Sequence, residues 1–528
     1  MPENGAREEA KPKRLMSPKA ALTVANSVLG AILGTAALIF IAQNMGPNVL
    51  GILAYALSCV GILSFLSDFG VGSIHVHFVK KGEEVANCIG AYAVIRIVLL
   101  IIFVGVTIPL TELWKRGIFG GGMVVDDALV DSVYVFLIYY VLLGISQIAT
   151  HTFDALDQSA KVIVPSILEV VVRVSFIIFI ATSAYGSSPN GPALLSSAYA
   201  AGMIASVLLV SLLMRNSRIS VPDREILVKY IRSLAPVFVI SMVIALDLYL
   251  DKVVVGYFWG GHEVGVYFGV QKMAIFVGVF SLSVATLILP SVTSYFAKKD
   301  PAATWEIVDQ AERYVSLVVI PTAAFYLLYG KRILEVFLTP EFAEAVDTMS
   351  VLVISSAVLA FVLPLRSVIA GIGRPGILFW LGASGIVLQL ALMVLLVPDD
   401  VLGVDTFGLK GLGAALALLI GSIYYFFAFR YMVWKTSRIL PKSRSFKHIF
   451  GALIMIGTMY LVDHFLLTGP IDWLALIVLA FVGFTSYTIS VYLLGELEPS
   501  DYRSFRELLN PQDTLSYVVN ELLGKRGH

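Results

Sequence analysis

The chain of 528 residues is 58% hydrophobic and only 14% charged, with a mean hydropathy of +0.87. A soluble chain carries roughly a quarter charged residues, so much of this surface must face hydrocarbon rather than water. Equal numbers of basic and acidic residues, 37 of each, give zero net charge and exclude the broad basic field of a nucleic-acid binder.

Residues 1–19 are polar, with Lys11, Lys13 and Arg14 among them, and read as a cytoplasmic tail rather than a cleaved leader. Fourteen apolar runs follow, at 20–43, 48–72, 87–110, 131–153, 162–185, 192–214, 231–256, 264–290, 313–336, 347–370, 375–398, 410–434, 446–467 and 471–495. Each is long enough to cross a hydrocarbon core of about 30 Å. Lone strands cannot satisfy their backbone in lipid, and barrel strands are about ten residues of strict alternation. The predicted fold class is therefore an all-α polytopic membrane protein.

Basic residues test this map. With the N-terminus inside, Lys80-Lys81, the stretch 215–232, Lys298-Lys299 and the stretch 435–447 all fall on the inner side. The outward loops carry few basic residues (Lys115, Arg116, Lys331, Arg332 and Lys410) and lean acidic at Glu341, Glu344, Asp399 and Asp400. This is the asymmetry of a protein in the cytoplasmic membrane with both termini inside. Residues 222–232, 301–313 and 498–525 mix apolar and charged positions at helical spacing and read as amphipathic caps on the inner face.

A repeat divides the runs. Gly46-Pro-Asn-Val-Leu-Gly51 follows the first span, and Gly260-Gly-His-Glu-Val-Gly265 follows the seventh, 214 residues later. Nearly the same offset carries Lys161, after span four, onto Arg374, after span ten. Two parallel six-span halves follow, at 20–214 and 215–434, with spans thirteen and fourteen (435–495) appended and a tail at 496–528. Such repeats place a substrate site between the halves near the midplane.

A charge inside the bilayer costs at least ~2.5–3.5 kcal/mol on insertion scales, so each needs a reason. Glu169 and Arg173 lie four apart with the acid first, the favourable order for a salt bridge that binds nothing else. Asp247 and Asp251 also lie four apart and repel, so they call for a cation such as Lys272 or Arg173, a bound ion or a proton. Lys252 is expected to snorkel to the outer edge. Arg96, Arg173, Lys272 and Arg366 all fall within the twelve repeated spans. Together they suit an anion, since arginine forks match phosphate oxygens; the alternative for Arg366 is a headgroup anchor at the inner end of its span.

Catalytic signatures are missing: there is no metal-ligand spacing, no Gly-x-Ser-x-Gly and no Gly-Lys-Ser/Thr phosphate loop. Cys59 and Cys88 lie in apolar stretches as small core residues. His75-Val-His77 reads as a solvated pair on the inner side of span two. Transport, not catalysis, is the expectation, without cofactor or metal.

Ala42-Gln-Asn-Met-Gly46-Pro47, Ser67-Asp68-Phe69-Gly70-Val71-Gly72, and Leu250-Asp251 through Gly256 to Val264-Gly265-Val-Tyr267 then form an ordered set of motifs. Leu289-Pro290, Ile333 to Leu338 and Gly408 to Ala415 continue it. This set resembles the polysaccharide and oligosaccharide flippases of the multidrug/oligosaccharidyl-lipid/polysaccharide exporter superfamily. Gln43 departs from it, standing where a basic residue is common. The resemblance implies a V-shaped, two-lobed protein moving a lipid-linked oligosaccharide, on a polyprenyl phosphate or pyrophosphate carrier, by alternating access. It implies a cationic central cavity, for which Arg96, Arg173, Lys272 and Arg366 are the candidates. Glu169, Asp247 and Asp251 are candidates for charge pairing or for H⁺ or Na⁺ coupling. The expected partners are the glycolipid, membrane lipid and glycan-assembly enzymes, with the chain itself a monomer. The rival readings are a cation-coupled drug antiporter of the same fold and a membrane glycan polymerase or ligase.

Overall fold

In the computed structural model, residues 18–118, 127–186, 188–297, 301–437, 445–465, 473–497 and 520–521 are described. The basic N-terminal segment, Lys298-Lys299 and most of the amphipathic C-terminal tail lie outside them.

The described residues form α1 (Pro18–Leu63), α2 (Phe65–Asp68), α3 (Val71–Lys80), α4 (Val85–Lys115), α5 (Asp127–Ala155), α6 (Ser159–Thr182) and α7 (Gly191–Met214). There follow α8 (Arg224–Trp259), α9 (Gly261–Ala297), α10 (Pro301–Phe337), α11 (Pro340–Ala343), α12 (Val346–Gly371) and α13 (Pro375–Leu396). A two-stranded antiparallel hairpin, β1 (Asp400–Val401) and β2 (Val404–Asp405), precedes α14 (Lys410–Ser437), α15 (Ser445–Phe465) and α16 (Trp473–Leu493).

Eleven stretches are long and apolar enough to cross a membrane, and a twelfth is α8, bent by 50° between Ala235 and Val237. One of the eleven, Ala25–Lys80, holds Gly46 at φ 76°, where the path turns, and so supplies two crossings. With the 37-residue α9 added, all fourteen expected spans have their helix. The protein is a multi-pass, all-α membrane protein. Ile101, Phe179, Leu212, Trp380 and Phe481 are among many exposed apolar side chains, as a lipid-facing surface requires.

Helices α4–α7 pack chiefly on one another and on α1; α9, α10 and α12–α14 form a second group, and α1 makes its most extensive contact across to α9. The two bundles meet where α1 crosses α9 and α8. The start of α8 belongs to the first bundle: Ile226 and Tyr230 are buried among Val71, Phe78 and Tyr92. The Lys229 ammonium lies 3.0 Å from Glu83, and Asn87 donates to the Asp223 carboxylate at 2.6 Å. Pro236, which has no backbone N–H to donate, falls at the bend beyond this docked segment. The polypeptide thus changes bundles inside a helix, about twenty residues after the 214/215 boundary drawn from the repeat.

The appended α15 and α16 pack on each other and on α10. Glu496 pairs with Arg313 and with Lys447, Ser316 bonds the ring of buried His448, and Arg332 reaches Asp463 at 2.6 Å. At the start of α6, whose own N-cap residue makes no side-chain cap, Glu521 accepts hydrogen bonds from the Ala160 and Lys161 N–H groups. A carboxylate there meets the free donors and the positive end of the helix dipole.

Two expectations are corrected. His75 is not solvated but fully buried, because the second span does not stop near residue 72 and α3 carries it on to Lys80. Its Nδ1 lies 3.0 Å from the Tyr230 hydroxyl and its Nε2 3.0 Å from the Thr152 hydroxyl. Thr152 spends its proton on the Ile148 carbonyl, so His75 donates from Nε2 and accepts from Tyr230. Lys252 does not snorkel: it is 6% exposed, with its ammonium 2.6 Å from Asp251.

Candidate functional site

A cavity of about 240 Å³ opens between the bundles, lined by α1, α5, α6, α7 and α9. Gly30, Ala31, Gly34 and Thr35 give α1 a small-residue face along it, and a Cβ at Gly30 or Gly34 would meet nothing within 4 Å. Opposite stand Tyr139, Arg173 and Tyr199 from the first bundle and Phe268, Lys272 and Phe276 from α9.

The structure brings Arg173 and Lys272 together here and holds them differently. Arg173 donates through Nε to Glu169 at 2.6 Å and lies 4.8 Å from the Tyr199 ring centroid. The i,i+4 pair seen in the sequence is therefore made, and the guanidinium keeps its other donors for the cavity. Lys272 has no carboxylate at ion-pair distance among the described residues, and its ammonium sits 5.2 Å from the Phe268 ring centroid. The Lys272 side chain is exposed into the cleft, with one side of its ammonium toward an aromatic face and its remaining donors uncommitted to any carboxylate among the described residues.

The other candidates lie elsewhere. Arg96 does not line the cavity: it is 1% exposed and donates to the Gly144 carbonyl, Asp68 and Gln147. All three contacts are inside the first bundle, so this cation holds α2, α4 and α5 together. Asp251 is neutralised by its chain neighbour Lys252 and accepts from the Tyr267 hydroxyl at 2.9 Å and the Gln271 amide at 2.6 Å. Lys272 and Arg173 are not its partners. Asp247 and Arg366 keep exposed side chains in mid-helix. Arg366 is the charge acting most strongly on Asp247, and Tyr425 lies within the influence of both. Gln43 donates to the Phe337 carbonyl at 3.2 Å, from α1 across to α10.

The aromatic lining escaped the sequence reading, since Tyr139, Tyr199 and Phe268 come from three helices with no common spacing. The Gly30–Gly34 face carried a signal, two glycines one turn apart in the first span.

Residues 19–296, just over half of the chain, match the sequence profile of the polysaccharide biosynthesis protein family. The chain belongs to that family. A family relative in Haloferax volcanii, the probable low-salt glycan biosynthesis flippase Agl15, is 22% identical over 403 residues, covering 75% of this chain and 79% of its own. The fold of this family member is also similar to the lipid II flippase MurJ in its inward closed conformation, with a TM-score of 0.69 at 13% identity over 89% of this chain and 98% of that one. An inward-facing multidrug resistance MATE transporter of the MOP superfamily gives 0.56 at 15% identity, over 80% and 96% of the two chains. Both likenesses concern fold, and they extend the family's architecture beyond the profile's end at residue 296, into the second bundle.

Proposed function

We propose that this protein is a flippase of glycan biosynthesis, moving an oligosaccharide on a polyprenyl phosphate or pyrophosphate carrier across the cytoplasmic membrane by alternating access. One observation carries the reading: the interbundle cavity presents Lys272 with no counter-carboxylate among the described residues, beside Arg173 and the rings of Tyr139, Tyr199 and Phe268. Phosphate oxygens suit the cations and sugar faces suit the rings, while the polyprenyl tail remains in lipid. The flippase relative in Haloferax volcanii supports the same reading.

A drug antiporter would want an acid-dominated cavity, and here the acid Glu169 is already spent on Arg173. Energy enters through the membrane potential, worth about 2.3 kcal/mol per charge per 100 mV, or through H⁺ or Na⁺ at Asp247, the acid left accessible beside Arg366.

The test is reconstitution in vesicles with a fluorescent polyprenyl-phosphate oligosaccharide, scoring its loss of protection from an external quencher. Wild type should move the lipid, and Lys272→Met should slow it at least tenfold. Equal rates in protein-free vesicles and with either protein would sink the proposal.

A further inference from the structure

The repeated glycine turns do more than join helices. Gly46 has φ 76° and ψ 177°, and Gly260 has φ 83° and ψ −172°. The two halves thus make the same left-handed, extended turn, a conformation open to glycine and strained for other residues. The turns also touch. The Cα of Gly51 abuts the Gly261 carbonyl, and the Cα of Gly265 abuts the Pro47 carbonyl.

The repeat offset of 214 carries Gly51 onto Gly265 and Pro47 onto Gly261. The two contacts are therefore one contact made twice about a local two-fold. A Cβ at Gly51 would overlap the Gly261 oxygen and lie 2.9 Å from the Gly265 nitrogen. A Cβ at Gly265 would overlap the Pro47 oxygen and lie 2.9 Å from the Gly51 nitrogen. Glycine weakens a helix interior, so its presence at both positions answers to the close approach. In lipid, small residues are what let two backbones meet, with Cα–H groups facing carbonyl oxygens.

We propose that this two-fold glycine seam is the seal that closes the cleft at the end of the bundle away from Pro18, where α1 begins. The seam parts when the cavity opens to that side and re-forms when it opens to the other. The proposal rests on the alternating-access reading and names the surface that must separate. The contact is backbone against backbone, so opening it breaks no ion pair, and one added methyl on either side prevents it from closing.

The experiment uses the full-length protein in vesicles, with Cys59 and Cys88 replaced by serine and Thr35→Cys as a reporter lining the cavity. An impermeant maleimide is applied from the seam side. Gly51→Ala and Gly265→Ala should each raise labelling from that side at least fivefold. Gly105→Ala, where a Cβ meets nothing within 4 Å, should leave it unchanged. Melting curves in detergent separate an opened seal from a misfolded chain. As a second measurement, Gln43→Cys and Phe337→Cys, at the positions where the Gln43 amide meets the Phe337 backbone carbonyl across the bundles, are joined by a short thiol cross-linker. Joining them should abolish lipid transport. Unchanged labelling in both folded glycine variants, or transport at the wild-type rate after cross-linking, overturns the seam. Labelling that responds as expected in a protein that moves no lipid-linked oligosaccharide keeps the seam and refutes the flippase reading instead.

Discussion

Two regions of this molecule hold cations within membrane-spanning helices, and they do so in opposite ways. Around Arg96, Asp68, Gln147 and the Gly144 carbonyl meet the guanidinium from three directions. Around Lys272 there is an aromatic ring and open space. Both residues stand in membrane-spanning helices, Arg96 only 1% exposed and Lys272 open to the cleft, and the difference in exposure follows a difference in partners. What separates them is whether the protein itself supplies the counter-ion. A site that has spent its own acids has nothing left for a ligand.

The sharpest way to break this comparison is to remove each cation in turn. Arg96→Met strands Asp68, and losing one partner of a buried pair costs about 3–5 kcal/mol. The low end applies, because the Asp68 side chain is 33% exposed. Thermal unfolding in detergent should show the loss, and the double variant Asp68→Asn/Arg96→Gln should recover part of it. An Arg96→Met protein as stable as wild type would end the structural assignment. Lys272→Met should do the reverse, leaving the melting temperature unchanged or raised while transport falls tenfold or more. That fall matches the about 1.5–3 kcal/mol of a charged hydrogen bond to phosphate.

Smaller changes sharpen the contrast. Glu169→Gln frees Arg173 from its carboxylate, and binding of a fluorescent polyprenyl-phosphate oligosaccharide should tighten severalfold, read by anisotropy. Tyr199→Ala removes the face under that guanidinium, worth about 0.5–2 kcal/mol, so headgroup binding should weaken a few-fold with little change in folding. No weakening would mean that the ring only fills space.

The spans were legible in the sequence because a hydrocarbon solvent writes hydropathy plainly, and the turn glycines were legible because only glycine fits where Gly46 and Gly260 stand. Pairing was less so. Asp68 and Arg96 lie on different helices, and no periodicity links them. Asp251 and Lys252 are chain neighbours, which do not face each other on a helix, yet the long lysine stem curls back while Gln271 and Tyr267 complete the cage. His75 was misplaced because the glycines at 70 and 72 looked like the end of a span, whereas Gly70 only takes a left-handed turn before α3. Arg173 and Lys272 meet because the repeat faces its two halves across one cleft, while Arg96, drawn from the same halves, is spent inside the first bundle.

The mid-helix change of bundle in α8 also dictates where this polypeptide tolerates being divided. Fragments separated within residues 215–223 would leave the first piece without Tyr230, and His75 would face an empty slot. Fragments separated beyond the bend would let the first piece keep its own floor but would sever a continuous helix. Complementation between co-produced halves therefore depends on which of those two losses the re-formed interface makes good.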